Sequence, residues 1–206
     1  MTRQERAKIV AQELAKAYPD PQVPLLHQDP YTLLVAVLLS AQCTDARVNL
    51  VTPLLFALAD TPQKMALTSP EQVREIIRPC GLSGRKSENI VELSKILVDL
   101  YEGQVPCRFD QLEALPGVGH KTASVVMATA FNQPAFPVDT HIYRSARRWG
   151  LSKGTNVKMV EDDLKKLYPE SDWGILHLRM VLFSRKYCPS RGCGGECPIC
   201  SQVNLM

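Results

Sequence analysis

Three groups of residues in this chain have the types and spacing to do chemistry. Cys188, Cys193, Cys197 and Cys200 are separated by four, three and two intervening residues. Four thiols packed so tightly are hard to explain as core packing, and a metal or iron-sulfur site is the direct reading. The second group is Leu115-Pro-Gly-Val-Gly-His-Lys-Thr-Ala123. Gly117 and Gly119 can turn the backbone sharply and leave its amides uncovered. Ahead of a helix, such amides make an anion site, although a helix-helix turn with a glycine cap explains a bare G-x-G equally well. Lys121 follows at once. A lysine with the ordinary pKa of about 10.4 is protonated at neutral pH and cannot attack. A helix N-terminus and a partly desolvated pocket would depress that value and make the amine a nucleophile; the plain alternative is a solvated or phosphate-contacting charge. The third is Asp139, which follows Pro137-Val138 and opens a helical pattern, a position that an N-cap explains by itself.

These groups must be held by helices, because helix signals recur along the whole chain and alternating strand patterns are nearly absent. Asp29-Pro30 opens an apolar stretch from Tyr31 to Leu39 that reads as a buried helix. Thr44-Asp45 opens a helix toward Leu58, with a bend or interruption expected at Pro53. Thr61-Pro62 and Ser69-Pro70-Glu71 start two short helices, and Ser83 to Lys86 start a longer amphipathic one. Asp110 to Leu115, His120 to Ala130, Asp139 to Trp149, Val157 to Leu167 and Trp173 to Arg185 complete an all-α reading. The proline-bearing stretches Tyr18 to Pro30 and Asn132 to Pro137 read as crossings between two helical lobes.

With 45% hydrophobic and 22% charged residues the composition is that of a folded domain, so disorder is not expected. A net charge of +3 permits a nucleic-acid partner without requiring one. Met1 to Tyr18 reads as an amphipathic helix and not as a signal peptide, and no stretch reaches the roughly 18 apolar residues of a membrane span. A cytoplasmic protein, nucleoid-associated if bacterial, is therefore expected. In that reducing setting clustered cysteines favour a metal site over disulfides.

The string around Lys121 resembles the helix-hairpin-helix element of the endonuclease III family of DNA glycosylases. The resemblance spans most of the chain: Leu38-Leu-Ser-Ala-Gln-Cys-Thr-Asp45, Gly81-Leu82, Lys86-Ser-Glu-Asn-Ile90, Val138-Asp-Thr-His141 and the C-terminal cysteines follow in the family's order. It implies a helical barrel domain over residues 24–134 containing the hairpin. The second domain, residues 1–23 plus 135–206, would carry the cluster loop. It also implies a monomeric bifunctional glycosylase and AP lyase that removes oxidised pyrimidines from double-stranded DNA bearing a damaged base or abasic site. In this family the lysine at the position of Lys121 attacks C1′, displaces the base and forms a Schiff base that leads to strand cleavage by β-elimination. Asp139 matches the catalytic carboxylate, which stabilises charge on the sugar and assists proton transfer. His141 is as well explained by a structural hydrogen bond. Gln42 and Leu82 match the residues that fill the gap left by the extruded nucleotide. Gly117, Gly119, His120 and Arg144 are candidate DNA contacts, and Arg147, Arg148, Arg85 and Lys86 are candidate phosphate contacts beside them.

The chain departs from the family at two places. Family members carry a 4Fe-4S cluster on cysteines spaced six, two and five apart, and this spacing is different. A 4Fe-4S cluster on Cys188, Cys193, Cys197 and Cys200 is expected by resemblance, with tetrahedral zinc as the alternative. His120 stands where a more basic residue is common. Two other functions remain open at this point: a monofunctional mismatch glycosylase, whose members usually lack the lysine, and a noncatalytic helix-hairpin-helix DNA-binding protein.

Overall fold

The computed structural model describes residues 1–193 and 195–203, and all regular structure among them is helical. The chain divides into two compact units. One is Val23–Gln133; the other joins Met1–Gln22 to the described part of Pro134–Met206. No described helix is long and apolar enough to cross a membrane.

The discontinuous unit begins with α1 (Arg3–Ala17), started by a capping box in which Thr2 and Glu5 satisfy each other's backbone amides. The chain then enters the continuous unit. Here α2 (Pro30–Leu39), capped by Asp29, buries every residue from Tyr31 to Leu39. A helix without a polar face belongs in the middle of a unit, and α2 packs against α3 (Asp45–Leu58) and two later helices. No interruption occurs at Pro53: α3 runs through it as one element, with Val51, Thr52 and Leu55 buried around it. Tertiary burial there outweighs the hydrogen bond that proline cannot donate.

α4 (Pro62–Ala66) and α5 (Pro70–Ile77) both pack on α6 (Ser83–Tyr101), and the 3₁₀ turn Arg78–Cys80 lies between α5 and α6. α7 (Phe109–Glu113) and α8 (His120–Ala130) form the hairpin pair; α8 is held in place by packing against α2. Its Ala123 to Met127 are buried, while His120 and Lys121 in its first turn are exposed.

The chain returns to the discontinuous unit for α9 (Thr140–Arg148), α10 (Val157–Leu167), α11 (Trp173–Tyr187) and α12 (Pro198–Val203). α1 packs on α11 and α12 around a core that includes Val10, Leu14, Phe136, Trp149, Met180 and Phe183. Cys188, Cys197 and Cys200 join this same core. The cysteine segment is therefore part of the unit's packing and includes a helix, where the sequence suggests only a loop.

Asp163 on α10 accepts from the Ser152 hydroxyl at 2.6 Å and pairs with Arg3 of α1 at 2.8 Å. These partners, Ser152 first, hold its carboxyl below the usual carboxylate range. A lowered carboxylate stabilises the fold fully above the unfolded value of about pH 4 and loses that contribution as pH falls through the folded value. Asp163→Asn should therefore flatten the acid limb of a plot of melting temperature against pH. An acid limb of native steepness would show that Asp163 does not contribute.

Candidate functional site

The turn between α7 and α8 is shaped by its two glycines in different ways. Gly117 has φ of +76°, and a Cβ there would lie 2.6 Å from Nδ2 of Asn89 on α6. Gly119 is extended, at φ −97° and ψ 175°, and a Cβ there meets nothing within 4 Å. The first makes the turn possible; the second is the N-cap of α8 and leaves that terminus without a side-chain cap. Amides at such a terminus are oriented to receive an anion. Gly117→Ala is accordingly expected to lose about 1–2 kcal/mol from the positive φ, with crowding of Asn89 in addition. Gly119→Ala should lose less than about 1 kcal/mol. Equal melting temperatures for the two variants would contradict this division.

His120 braces the hairpin. Its Nδ1 lies 2.7 Å from Oε1 of Glu113 on α7, and its ring stacks on Phe109 with centroids 5.9 Å apart. Lys121 is the second residue of α8 and is exposed. The helix N-terminus is the feature the protein itself supplies.

Gln42 and Leu82 lie in loops of the same unit, and both have left-handed backbones, φ 54° and 50°. A leucine or glutamine in that region is strained by roughly 1–2 kcal/mol. Leu82 is 58% exposed even so, and Gln42 is exposed as well. Exposed Glu102 and Asn132 share that backbone region, at φ 55° and 50°.

Asp139 belongs to the discontinuous unit, where its Oδ1 accepts from the amides of His141 and Ile142, both at 2.9 Å. It is the N-cap of α9, and one oxygen serves the cap. From the same helix Arg144 donates through Nε to the Cys188 carbonyl at 3.0 Å and places Nη2 3.1 Å from Nδ1 of His141. Arg148 donates to the Pro189 and Ser190 carbonyls and lies 3.4 Å from Cys188 Sγ. Helix α9 thus carries the carboxylate at its start and the start of the cysteine segment at its end.

The Sγ atoms of Cys193, Cys197 and Cys200 lie within 4.8 Å of one another. Cys188 is fully buried but stands outside this group among the described residues, its sulfur turned to Arg148. Hydrogen bonding from the Gly195 backbone holds the Cys193 thiol below its usual range, while burial pushes Cys200 up, with Cys197 adding to the effect. Three converging thiols fit a thiophilic metal centre, and loading it must release protons from the more buried ones.

Residues 35–170 match the family model of the HhH-GPD superfamily base excision DNA repair protein. Endonuclease III of Escherichia coli strain K12 is 42% identical over 192 residues, which span 90% of each chain. That of Bacillus subtilis strain 168 is 40% identical over 92% of this chain and 87% of its own. The chain belongs to the endonuclease III family. A solved non-covalent endonuclease III–DNA complex superposes with a TM-score of 0.93 at 41% identity, covering 98% of this chain and 95% of that one. A trapped covalent endonuclease III–DNA intermediate superposes at 0.92 with 39% identity and full coverage of both. A thermostable thymine-DNA glycosylase, at TM-score 0.85 and 22% identity, shares the fold.

As a member of the endonuclease III family the chain is a base excision repair enzyme, a DNA glycosylase and AP lyase. Two expectations about its charged residues need revision. Lys86 is no phosphate contact: it is 5% exposed, with its ammonium turned inward onto three carbonyls. Arg148 spends its guanidinium on the segment after Cys188, and part of that of Arg144 is used in the same way. Neither duty has a local sequence signature, because all the acceptors but Cys80 are 40 or more positions away along the chain.

Proposed function

We propose that this endonuclease III family member removes oxidised pyrimidines from duplex DNA through Lys121 and then cleaves the strand. The observation that carries this reading is Lys121 in the uncapped first turn of α8, behind the Gly117–Gly119 turn. The related endonuclease III that has been trapped covalently on DNA supports it. The neutral amine donates its lone pair to C1′ as the glycosidic bond breaks, and the base leaves with that bond's electrons and takes up a proton. Loss of the amine proton and opening of the sugar ring give the Schiff base. Removal of a C2′ proton then expels the 3′ phosphate, and water releases Lys121. Asp139 stabilises the positive charge that develops on the sugar and carries protons between these steps.

Bound DNA adds desolvation to the helix end at Lys121. Seated duplex removes water from an exposed amine at a positive helix end, and both effects favour its neutral form. The amides of the Gly117–Gly119 turn, with His120 and Arg144, hold the backbone. Gln42 and Leu82 occupy the space of the extruded nucleotide. The enzyme works as a monomer in the cytoplasm, on nucleoid DNA.

Sodium borohydride with duplex DNA carrying one abasic site is the direct test. A covalent one-to-one adduct is expected. DNA bound without an adduct would reduce the chain to a monofunctional glycosylase or a binding module.

The cysteine set would hold a 4Fe-4S cluster, with Cys193, Cys197 and Cys200 as the gathered ligands and Cys188 as the fourth. When bound, that group supplies a rigid cross-link between α12 and the segment held by α9, away from base removal. Purified protein should contain about four iron atoms per chain and absorb visible light. Zinc in equimolar amount with no visible absorbance would replace the assignment.

A further inference from the structure

The buried ammonium of Lys86 lies beneath both strained loops. Its Nζ donates to the carbonyls of Leu39 at 2.9 Å, Ala41 at 2.8 Å and Cys80 at 3.1 Å. Leu39 ends α2, Ala41 immediately precedes Gln42, and Cys80 ends the 3₁₀ turn that leads through Gly81 to Leu82. An ammonium has three protons, and here each meets one carbonyl. Two acceptors belong to the Gln42 loop and one to the Leu82 loop.

We propose that Lys86 is a positioning residue that ties the Gln42 loop to the Leu82 loop, so that the two side chains enter DNA as one preformed wedge. This deepens the proposed function, since it rests on Gln42 and Leu82 filling the vacated space. Charge-assisted bonds made away from water are stronger than neutral surface ones, and a buried ammonium that lost them would be left at high energy. Burial pushes the Lys86 pKa down, and the nearby thiols of Cys43 and Cys80 oppose this. The clamp also answers a problem of the exposed loops. Left-handed backbone at Gln42 and Leu82 would relax if the segments were independent, and ordering them on DNA would then add to the energy of extruding a nucleotide.

The clamp is tested by the rate of borohydride trapping on an abasic site in duplex DNA, divided by the rate on the same strand alone. Only the duplex has a partner strand and stacked neighbours to wedge apart, so general weakening of the fold moves both rates and leaves the ratio. Lys86→Met should lower the ratio about tenfold or more, as Leu82→Ala should. Lys86→Gln keeps two donors on a shorter stem and should fall between; it serves if the methionine variant does not accumulate folded. A ratio within about twofold of native in a folded Lys86 variant, while Leu82→Ala lowers it, overturns the clamp. A native ratio in Leu82→Ala and Gln42→Ala as well overturns the wedge itself, and the clamp with it.

Discussion

Lys121→Gln is expected to end adduct formation and strand cleavage together, with single-turnover rates down by at least about 10⁴-fold. The size follows from the role: no other group replaces a nucleophile whose nitrogen becomes part of the intermediate. The substitution should be nearly silent in stability, within about 0.5 kcal/mol, because the position is exposed and glutamine suits a helix almost as well as lysine. Duplex binding should persist, since the turn amides and the wedge loops are untouched. Melting temperature, affinity and trapping measured on one preparation therefore separate chemistry from folding. Native levels of adduct in this variant would remove Lys121 from the reaction.

Asp139 calls for a pair of substitutions, because its structural duty and its proposed chemical one sit on one side chain. Asp139→Asn keeps an oxygen that can accept from the amides of His141 and Ile142, so α9 should remain capped and the melting temperature close to native. The negative charge is gone, and the rate of base removal should fall by about 10²- to 10⁴-fold. Asp139→Ala should lose the same activity and, in addition, about 1 kcal/mol of stability from the missing cap. An asparagine variant with native rates would leave Asp139 as a cap alone. A weakened α9 would also disturb the segment after Cys188, which Arg144 and Arg148 hold from the same helix. A change in metal content in the alanine variant but not the asparagine one would reveal that route.

Much of the architecture can be read along the chain because helix starts are local. Asp29 with Thr32 and Ser69 with Gln72 satisfy backbone amides within three positions, and the structure has capping boxes at both. The run from Tyr31 to Leu39, apolar nearly all round, states its own burial, and it is buried. The hairpin is similarly explicit: a glycine required by φ of +76° can be recognised from its neighbours, and Lys121 comes immediately after the turn. Family motifs in order supply the activity, as the full-length relatives bear out.

The duties of the other charged and thiol side chains are not local. Lys86 next to Arg85 reads as a second surface cation, yet one is buried and the other exposed. What separates them is a set of carbonyls at Leu39, Ala41 and Cys80 that only folding assembles. Arg148 is diverted in the same way, and among the described residues Cys188 is set apart from the three cysteines with which its spacing groups it. The left-handed backbones at Gln42 and Leu82 have no glycine or asparagine to announce them. Short-range patterns thus determined the helices and the turn, and marked Lys121 as the candidate nucleophile. Tertiary structure decided which charges stay exposed and which turn inward onto carbonyls, because a long side chain takes its partners from whatever polar groups the fold leaves unsatisfied within its reach.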